Sequence, residues 1–263
     1  MKRRLGNLER QLLAYAQMRG RQALRTGDLT GPLGITPKQE RELFSRMARS
    51  GLIAKVRRGL YLVPLKLPLG ARWTPDEALV LSTLFADGGA RYQVCGPNAF
   101  NRYGFSDQLP AQVWAYNNRV SERRTVGTVV LNLVKVADDR LGDVEREQTP
   151  GGMLVYASRV RTLVDAIYDW SRFNSLPRGY AWIRADLRAG RVTPADLVRA
   201  TLRYGNLSTI RRIGAVLEGE GVDDELLGEL GQATGRLTST LPLVPRQPQE
   251  GAVNRRWGVC LNG

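Results

Sequence analysis

The sequence contains no histidine among its 263 residues. Histidine is the usual general base of hydrolytic sites and a common zinc ligand, so its absence excludes a Ser-His triad and any zinc site of Cys/His type. A metal site built only from carboxylates remains open. The two cysteines, Cys95 and Cys260, lie far apart in the sequence, and we expect both to be buried thiols in a reducing compartment.

Long apolar runs are also missing. No run approaches the length that a helix needs to cross a bilayer, and the basic residues 1–7 are not followed by the apolar core of a signal peptide. Apolar residues nevertheless make up 43% of the chain and charged residues 24%, which is enough to fold around a core. We therefore expect a globular, cytoplasmic protein without membrane contact, built from one large domain or two ordinary ones.

Acidic side chains are scarce in the first quarter of the sequence. Residues 1–64 contain 14 basic and 4 acidic side chains, a net charge of +10, whereas the remaining 199 residues contain 25 basic and 21 acidic, a net charge of +4. A small segment with that charge is expected to attract a polyanion such as nucleic acid. The high overall charge could also reflect a generically basic proteome. The concentration of positive charge in residues 1–64 is not explained in that way, so it is the more informative feature.

The first two predicted helices are indicated by the spacing of apolar residues and by the glycine and proline residues that end them. Apolar residues at helical spacing predict a first helix over residues 5–20, which Gly20 can end. Thr26 is a plausible N-cap for a short second helix, and Gly31 and Pro32 end that helix quickly.

A capping box marks the start of the third helix. Thr36 is a good N-cap, Pro37 suits the first helical position, and Gln39 completes the Thr-x-x-Gln pattern. The helix is expected to end near residue 50, before Gly51. Its apolar side chains share one face, and the opposite face carries a narrow polar stripe that Glu42 borders. The stripe comprises Lys38, Arg41, Ser45 and Arg49.

A hairpin with a basic tip follows the third helix. Residues 53–57 alternate in polarity and residues 60–63 are strand-like, so the pattern predicts two strands joined at Arg57-Arg58-Gly59. Three helices followed by such a hairpin is the order of a winged helix-turn-helix. In that fold the third helix enters the major groove of DNA, and the wing reaches along the phosphates or into the neighbouring minor groove.

The chemistry of these side chains predicts their roles on DNA. Lys38 and Arg41, near the helix N-terminus, are best placed for base edges, where arginine can make two bonds to guanine. Arg49, Arg57 and Arg58 are expected to bind phosphates, which positions a protein without reading sequence. The basic residues 2–4 are either a flexible arm or a solvated terminus. The full predicted DNA-binding set is Lys38, Arg41, Ser45, Arg49, Lys55, Arg57 and Arg58.

The remaining residues predict a mixed domain with strands first and helices after. Residues 66–72 look like a linker, so the predicted domains are residues 1–66 and 67–263. The predicted fold class is α+β, an N-terminal winged helix-turn-helix followed by a larger mixed α/β domain. The predicted strands are residues 92–96, 113–116, 129–136 and 153–156, and the helices begin near residues 158, 179, 193, 207 and 223. The pairs Arg123-Arg124 and Arg211-Arg212 are expected on the solvated surface, with contact to nucleic acid or a partner as the alternative. Trp170, Trp182 and Trp257 are expected in the core.

Four stretches of the sequence carry a resemblance to a known family. They are residues 56–61 in the wing, then 96–105, 158–165 and 254–262. In this order they resemble the antitoxin regulators of abortive-infection type IV toxin–antitoxin systems, the AbiEi family. The resemblance implies an N-terminal domain that represses its own operon by binding inverted repeats in the promoter. It also implies a C-terminal domain that counteracts a nucleotidyltransferase toxin encoded alongside.

Two other functions remain open. A transcription factor whose C-terminal domain senses a small ligand is one, although the sequence contains no ligand signature. A Mg²⁺-dependent nuclease is the other. Restriction-type nucleases carry the active-site motif Asp…Glu-x-Lys on adjacent strands. In this sequence Glu147 takes the place of the lysine, and it lies in a loop-like stretch. The acidic cluster that such a site would use is Asp138, Asp139, Asp143, Glu145 and Glu147. A solvated acidic loop is favoured, and we predict no catalytic residue, no metal site and no cofactor.

Overall fold

The structure is a computed structural model that describes residues 5–66, 72–86 and 89–262. The basic residues 2–4 and most of the predicted linker, residues 67–71, lie outside the described residues. No helix in the described ranges is both long and apolar enough to span a membrane.

The chain divides into two compact units. The first comprises residues 1–92, 111–141 and 146–155, and the second comprises residues 93–110, 142–145 and 156–263. The predicted boundary at residues 66 and 67 falls inside the first unit, and the separate domain predicted from residue 67 stays a prediction.

The first unit begins with three helices and three short strands. The helices are α1 (Asn7–Arg19), α2 (Thr30–Leu33) and α3 (Pro37–Arg49), and the strands are β1 (Ala23–Arg25), β2 (Ala54–Arg57) and β3 (Leu60–Leu62). The predicted hairpin is present as β2 and β3. Sequence analysis missed β1, which pairs antiparallel with β3 and completes a sheet of order β1-β3-β2.

The second helix begins later than predicted, and the assignment of Thr26 as its N-cap is wrong. Helix α2 starts at Thr30, after a turn that includes Gly27 and Leu29. The carboxylate of Glu40, on α3, accepts hydrogen bonds from the amide of Gly27 at 2.7 Å and from the amide of Leu29 at 2.9 Å. The amide of Leu29, three residues after Thr26, is thereby bound by Glu40 and not by the hydroxyl of Thr26, as an N-cap at Thr26 would require.

Helix α3 forms as its capping box predicts. The hydroxyl of Thr36 accepts a hydrogen bond from the amide of Gln39 at 3.2 Å, and the side chain of Gln39 accepts one from the amide of Thr36 at 2.8 Å. The buried face of the helix packs into the core of the winged helix, where Phe44 stacks on Tyr61 with 4.4 Å between ring centroids. The polar face is thereby turned to solvent.

A six-stranded mixed sheet follows helix α4 (Glu77–Leu84). Its strands are β4 (Tyr92–Val94), β5 (Val113–Asn117), β6 (Glu122–Val126), β7 (Val129–Lys135), β8 (Val144–Thr149) and β9 (Gly152–Ala157), in the order β6-β7-β5-β4-β9-β8. Strands β5 and β7 pair in parallel, and β6 pairs antiparallel with β7.

Sequence analysis missed the two strands at the ends of this order, β6 and β8. Residues 144–147 were expected in a loop-like stretch, and that expectation is wrong because they lie on β8. Every residue of β8 is at least partly exposed, so its sequence lacks the apolar alternation that marks a half-buried strand.

The second unit is mainly helical. Its helices are α5 (Pro97–Arg102), α6 (Arg159–Tyr168), α7 (Trp170–Phe173), α8 (Arg178–Arg188), α9 (Pro194–Tyr204), α10 (Leu207–Gly219) and α11 (Asp224–Thr234). The helices predicted after residue 158 are confirmed. Three short strands close the chain in the order β10-β12-β11, namely β10 (Leu241–Pro242), β11 (Val253–Asn254) and β12 (Val259–Cys260). The fold is therefore α+β, as predicted.

The closing segment is held by buried side chains of helix α10. Trp257 is fully buried, as expected, and the guanidinium of Arg211 donates to the carbonyl oxygen of Trp257 at 2.7 Å and to those of Ser239 and Gly258. Burial lowers the pKa of Arg211. The expectation that Arg211 and Arg212 lie on the solvated surface is wrong, because they are only 4% and 7% exposed.

Candidate nucleic-acid interface

The outer face of helix α3 presents the predicted polar stripe to solvent. Lys38, Arg41, Ser45 and Arg49 are all exposed, while Leu43 and its apolar neighbours are buried. The guanidinium of Arg49 donates to the carbonyl oxygen of Ser45 at 3.4 Å, which holds that side chain along the helix. Within the described part of the chain, neither Lys38 nor Arg41 forms an ion pair. Their charges are therefore available to a ligand.

Two of the four acidic side chains in residues 1–64, Glu9 and Glu40, are buried. Glu9 is 3% exposed and binds the guanidinium of Arg46 at 3.1 Å, which links α1 to α3. Glu40 is fully buried under the turn before α2. Asp28 accepts a hydrogen bond from the amide of Arg25 at 2.8 Å. The solvent-facing surface of this segment is consequently more positive than its net charge of +10 suggests.

The wing carries exposed cations at its tip and on β2. The turn between β2 and β3 contains Arg58 and Gly59, and Gly59 has a φ of +73°, in the left-handed region that favours glycine. Lys55 and Arg58 are exposed. In the ranges that the structure describes, neither side chain is ion-paired. The wing tip is thus suited to phosphate oxygens.

Arg57 differs from the rest of the predicted set. Its side chain is half-buried and lines a cavity of about 400 Å³ together with Phe85, Glu122 and Arg124. The other six members of the set are exposed, so Arg57 is the one that is directed towards the protein. The structure places the predicted residues on one helix face and one hairpin, and their contact with DNA stays a prediction.

Sequence reasoning missed the carboxylate that shapes the helix-turn-helix. Glu40 lies on the same face of α3 as Leu43, Phe44 and Met47, which form its buried side. The signal that could have identified Glu40 is an acidic residue on the apolar face of an amphipathic helix. A carboxylate buried there requires hydrogen-bond donors from the surrounding chain.

Two of the acidic residues considered for a nuclease site bind different partners. Asp138 accepts a hydrogen bond from the side-chain amide of Asn118 at 2.9 Å, and Glu145 lies 3.6 Å from the guanidinium of Arg102. Among the described residues, no group of three or more cysteine, aspartate or glutamate side chains is arranged to hold a metal ion.

Three helices, a two-stranded wing and a cationic face on the third helix define a winged helix-turn-helix, a class of protein that presents a helix to the major groove. Residues 10–64 match the family model described as "Transcriptional regulator, AbiEi antitoxin". The resemblance predicted from the sequence is confirmed over these residues.

A similar fold along nearly the whole chain is found among solved structures. An example is the crystal structure of the RV2827C protein from Mycobacterium tuberculosis, with a TM-score of 0.62 and 15% sequence identity, covering 98% of this chain and 92% of that chain. At this identity the similarity shows the fold alone. No curated protein is significantly similar to this chain in sequence.

Proposed function

We propose that the protein is a DNA-binding autorepressor and the antitoxin of a type IV-like toxin–antitoxin system. It represses its operon by binding inverted repeats in its own promoter, and it counteracts a nucleotidyltransferase toxin encoded alongside. It works in the cytoplasm by binding and has no catalytic activity of its own. The observation that carries the proposal is the exposed cationic face of α3, beside a basic wing, within the segment that matches the AbiEi regulators.

The proposed contacts divide by position along the helix and wing. Lys38 and Arg41, at the start of α3, read base edges in the major groove. Arg49, Lys55 and Arg58 bind phosphates, and Ser45 lies between the two sets on the same helix face. Arg57 contributes less, since its side chain is half-buried.

Two arginines of α3 are expected to respond differently to removal. Arg41→Ala should relax sequence preference and cost about 1–3 kcal/mol at one base pair, because a bidentate contact to guanine is lost. Arg49→Ala should weaken binding to all sequences about equally and lower the salt slope by about one unit. The measurement is a set of binding isotherms on promoter DNA with single base-pair changes.

Arg41 and Arg49 are a matched pair for this comparison. Both side chains are exposed on the same helix, so neither change is expected to alter the melting curve by more than a surface substitution does. Equal weakening on every sequence by Arg41→Ala would refute its assignment as a base-reading residue.

The antitoxin role is expected to survive the loss of DNA binding. The family resemblance assigns toxin neutralisation to the C-terminal part of the chain. Three of the stretches that carry the resemblance, residues 96–105, 158–165 and 254–262, lie in the second unit. A chain with Arg41→Ala and Arg58→Ala, expressed from an unrelated promoter, should therefore still restore growth to cells in which the neighbouring toxin is induced.

Growth is compared with that of cells expressing the unaltered chain and of cells expressing none. If the double variant loses rescue together with DNA binding while its melting curve is unchanged, neutralisation requires the DNA-binding surface, and the two-part proposal is wrong. If the unaltered chain gives no rescue, the antitoxin role itself is wrong.

A further inference from the structure

Strand β2 of the wing contains a β-bulge. Lys55 pairs with Tyr61 and Arg57 pairs with Leu60, so Val56 is an additional residue on β2. A bulge leaves the extra residue outside the regular ladder, bends the strand and increases its twist. The bulge therefore sets the direction in which the wing tip leaves the sheet.

The carbonyl group at the bulge is bound by an arginine 68 residues away in the sequence. Nη1 of Arg124, on β6, donates to the carbonyl oxygen of Val56 at 3.0 Å. Nη2 of the same side chain lies 2.7 Å from the carboxylate of Glu122. Because β6 is paired with β7, the guanidinium is fixed to the mixed sheet and bridges that sheet to the wing.

A second close approach lies beside this hydrogen bond. Gly127, in the turn between β6 and β7, has a φ of +63°, and a Cβ atom placed on it would lie 3.2 Å from Cβ of Ala54 and 2.9 Å from Cδ of Pro75. The turn thus packs directly against the start of β2. Two independent contacts, one polar and one steric, hold the wing against the sheet.

We infer that Arg124 is a positioning residue for DNA recognition. By holding the bulge at Val56, it presents Lys55 and Arg58 to the phosphates in one geometry. The inference rests on the proposed DNA-binding function. Strand β2 is an edge strand of the sheet β1-β3-β2 and pairs only with β3, so without this bond its bulged end is less ordered. Part of that order must then be restored at the moment of binding, which weakens affinity. Arg124 itself contacts no phosphate, so the salt dependence of binding does not change.

The test uses the full chain in four forms: unaltered, Arg124→Ala, Arg124→Lys and Arg123→Ala. Lysine keeps the charge but lacks the two-armed guanidinium that reaches both Val56 and Glu122. Arg123 is the matched control, because it is the neighbouring arginine on β6 and its side chain is exposed. Amide hydrogen exchange of residues 54–62 reports wing mobility, and binding to promoter DNA is measured over a series of salt concentrations.

Arg124→Ala is expected to raise exchange in the wing by about tenfold, while exchange in α1 and α3 stays as in the unaltered chain. Its Kd for DNA should rise by about five- to tenfold without a change in salt slope. Arg124→Lys should recover only part of both losses, and Arg123→Ala should leave wing exchange unchanged.

Three results overturn the inference. The first is unchanged wing exchange in Arg124→Ala, and the second is faster exchange with an unchanged Kd. The third is a salt slope lowered by about one unit, which would make Arg124 a phosphate contact. Failure of the proposed function is seen separately, as a lack of salt-sensitive DNA binding by the unaltered chain. That result also removes the DNA-binding part of the inference.

Discussion

Replacing Glu40 with alanine is expected to lower the stability of the helix-turn-helix by about 2–4 kcal/mol, because the buried amide of Leu29 and the partly buried amide of Gly27 lose a charged acceptor. The carboxylate of Glu40 is fully buried and is the acceptor for the amides of Gly27 and Leu29. Its removal leaves the buried amide of Leu29 unsatisfied and leaves a cavity beneath the turn that precedes α2. The turn and the packing of α3 against α1 should then open together.

Amide hydrogen exchange of α1 and α3 in the full chain measures this effect, since it reports the free energy of local opening. Glu42→Ala is the matched control: Glu42 is an exposed acid on the same helix, and its removal should change stability by less than about 0.5 kcal/mol. Equal exchange in the two variants would show that Glu40 does not hold the helix-turn-helix.

A methyl group added at Gly214 should destabilise the second unit by about 2–3 kcal/mol, because overpacking a rigid core outweighs a better helix propensity. A Cβ atom on Gly214 would lie 2.5 Å from ring atoms of Trp257. Trp257 cannot easily move aside, since it is fully buried and its carbonyl oxygen is bound by Arg211.

The control for Gly214→Ala is Gly228→Ala in helix α11. A Cβ atom at Gly228 meets no atom within 4 Å, so alanine there should stabilise the helix by about 0.5–1 kcal/mol. Urea titration of both variants compares their unfolding free energies. If Gly214→Ala were as stable as Gly228→Ala, the docking of the closing segment on α10 would be wrong.

The elements that could be predicted from the sequence are those with strong local chemistry. The capping box of Thr36 and Gln39 and the periodicity of α3 depend on neighbours within one or two turns, so the helix and its exposed stripe were predictable. The same holds for the hairpin with Gly59 at its tip, and for the long helices of the second unit, which have clear amphipathic periods.

The features that could not be predicted depend on distant partners. The turn before α2 is held by Glu40, and β1 exists because β3 pairs with it. Strands β6 and β8 lie at the ends of the sheet order and carry mostly polar residues, so they lack apolar alternation.

Arginines that bind the backbone of a distant segment could not be predicted from the sequence. Arg124 and Arg211 were both expected on the solvated surface, yet each donates to backbone carbonyl oxygens of a distant segment. The guanidinium group offers five donors on a long side chain, so its partners can lie far away in the sequence. Local charge patterns therefore identify exposed cations such as Arg41 but do not separate them from arginines that support the structure.

The central claim is that the cationic face of α3 and the wing bind DNA. The most direct test is binding of the full, unaltered chain to its own promoter DNA over a series of salt concentrations, with random DNA of the same length as competitor. We expect affinity in the nanomolar range for the promoter, a clear preference over random DNA, and affinity that falls steeply as salt displaces the phosphate contacts. Binding that does not weaken with salt, or that shows no preference for the promoter, would contradict the account.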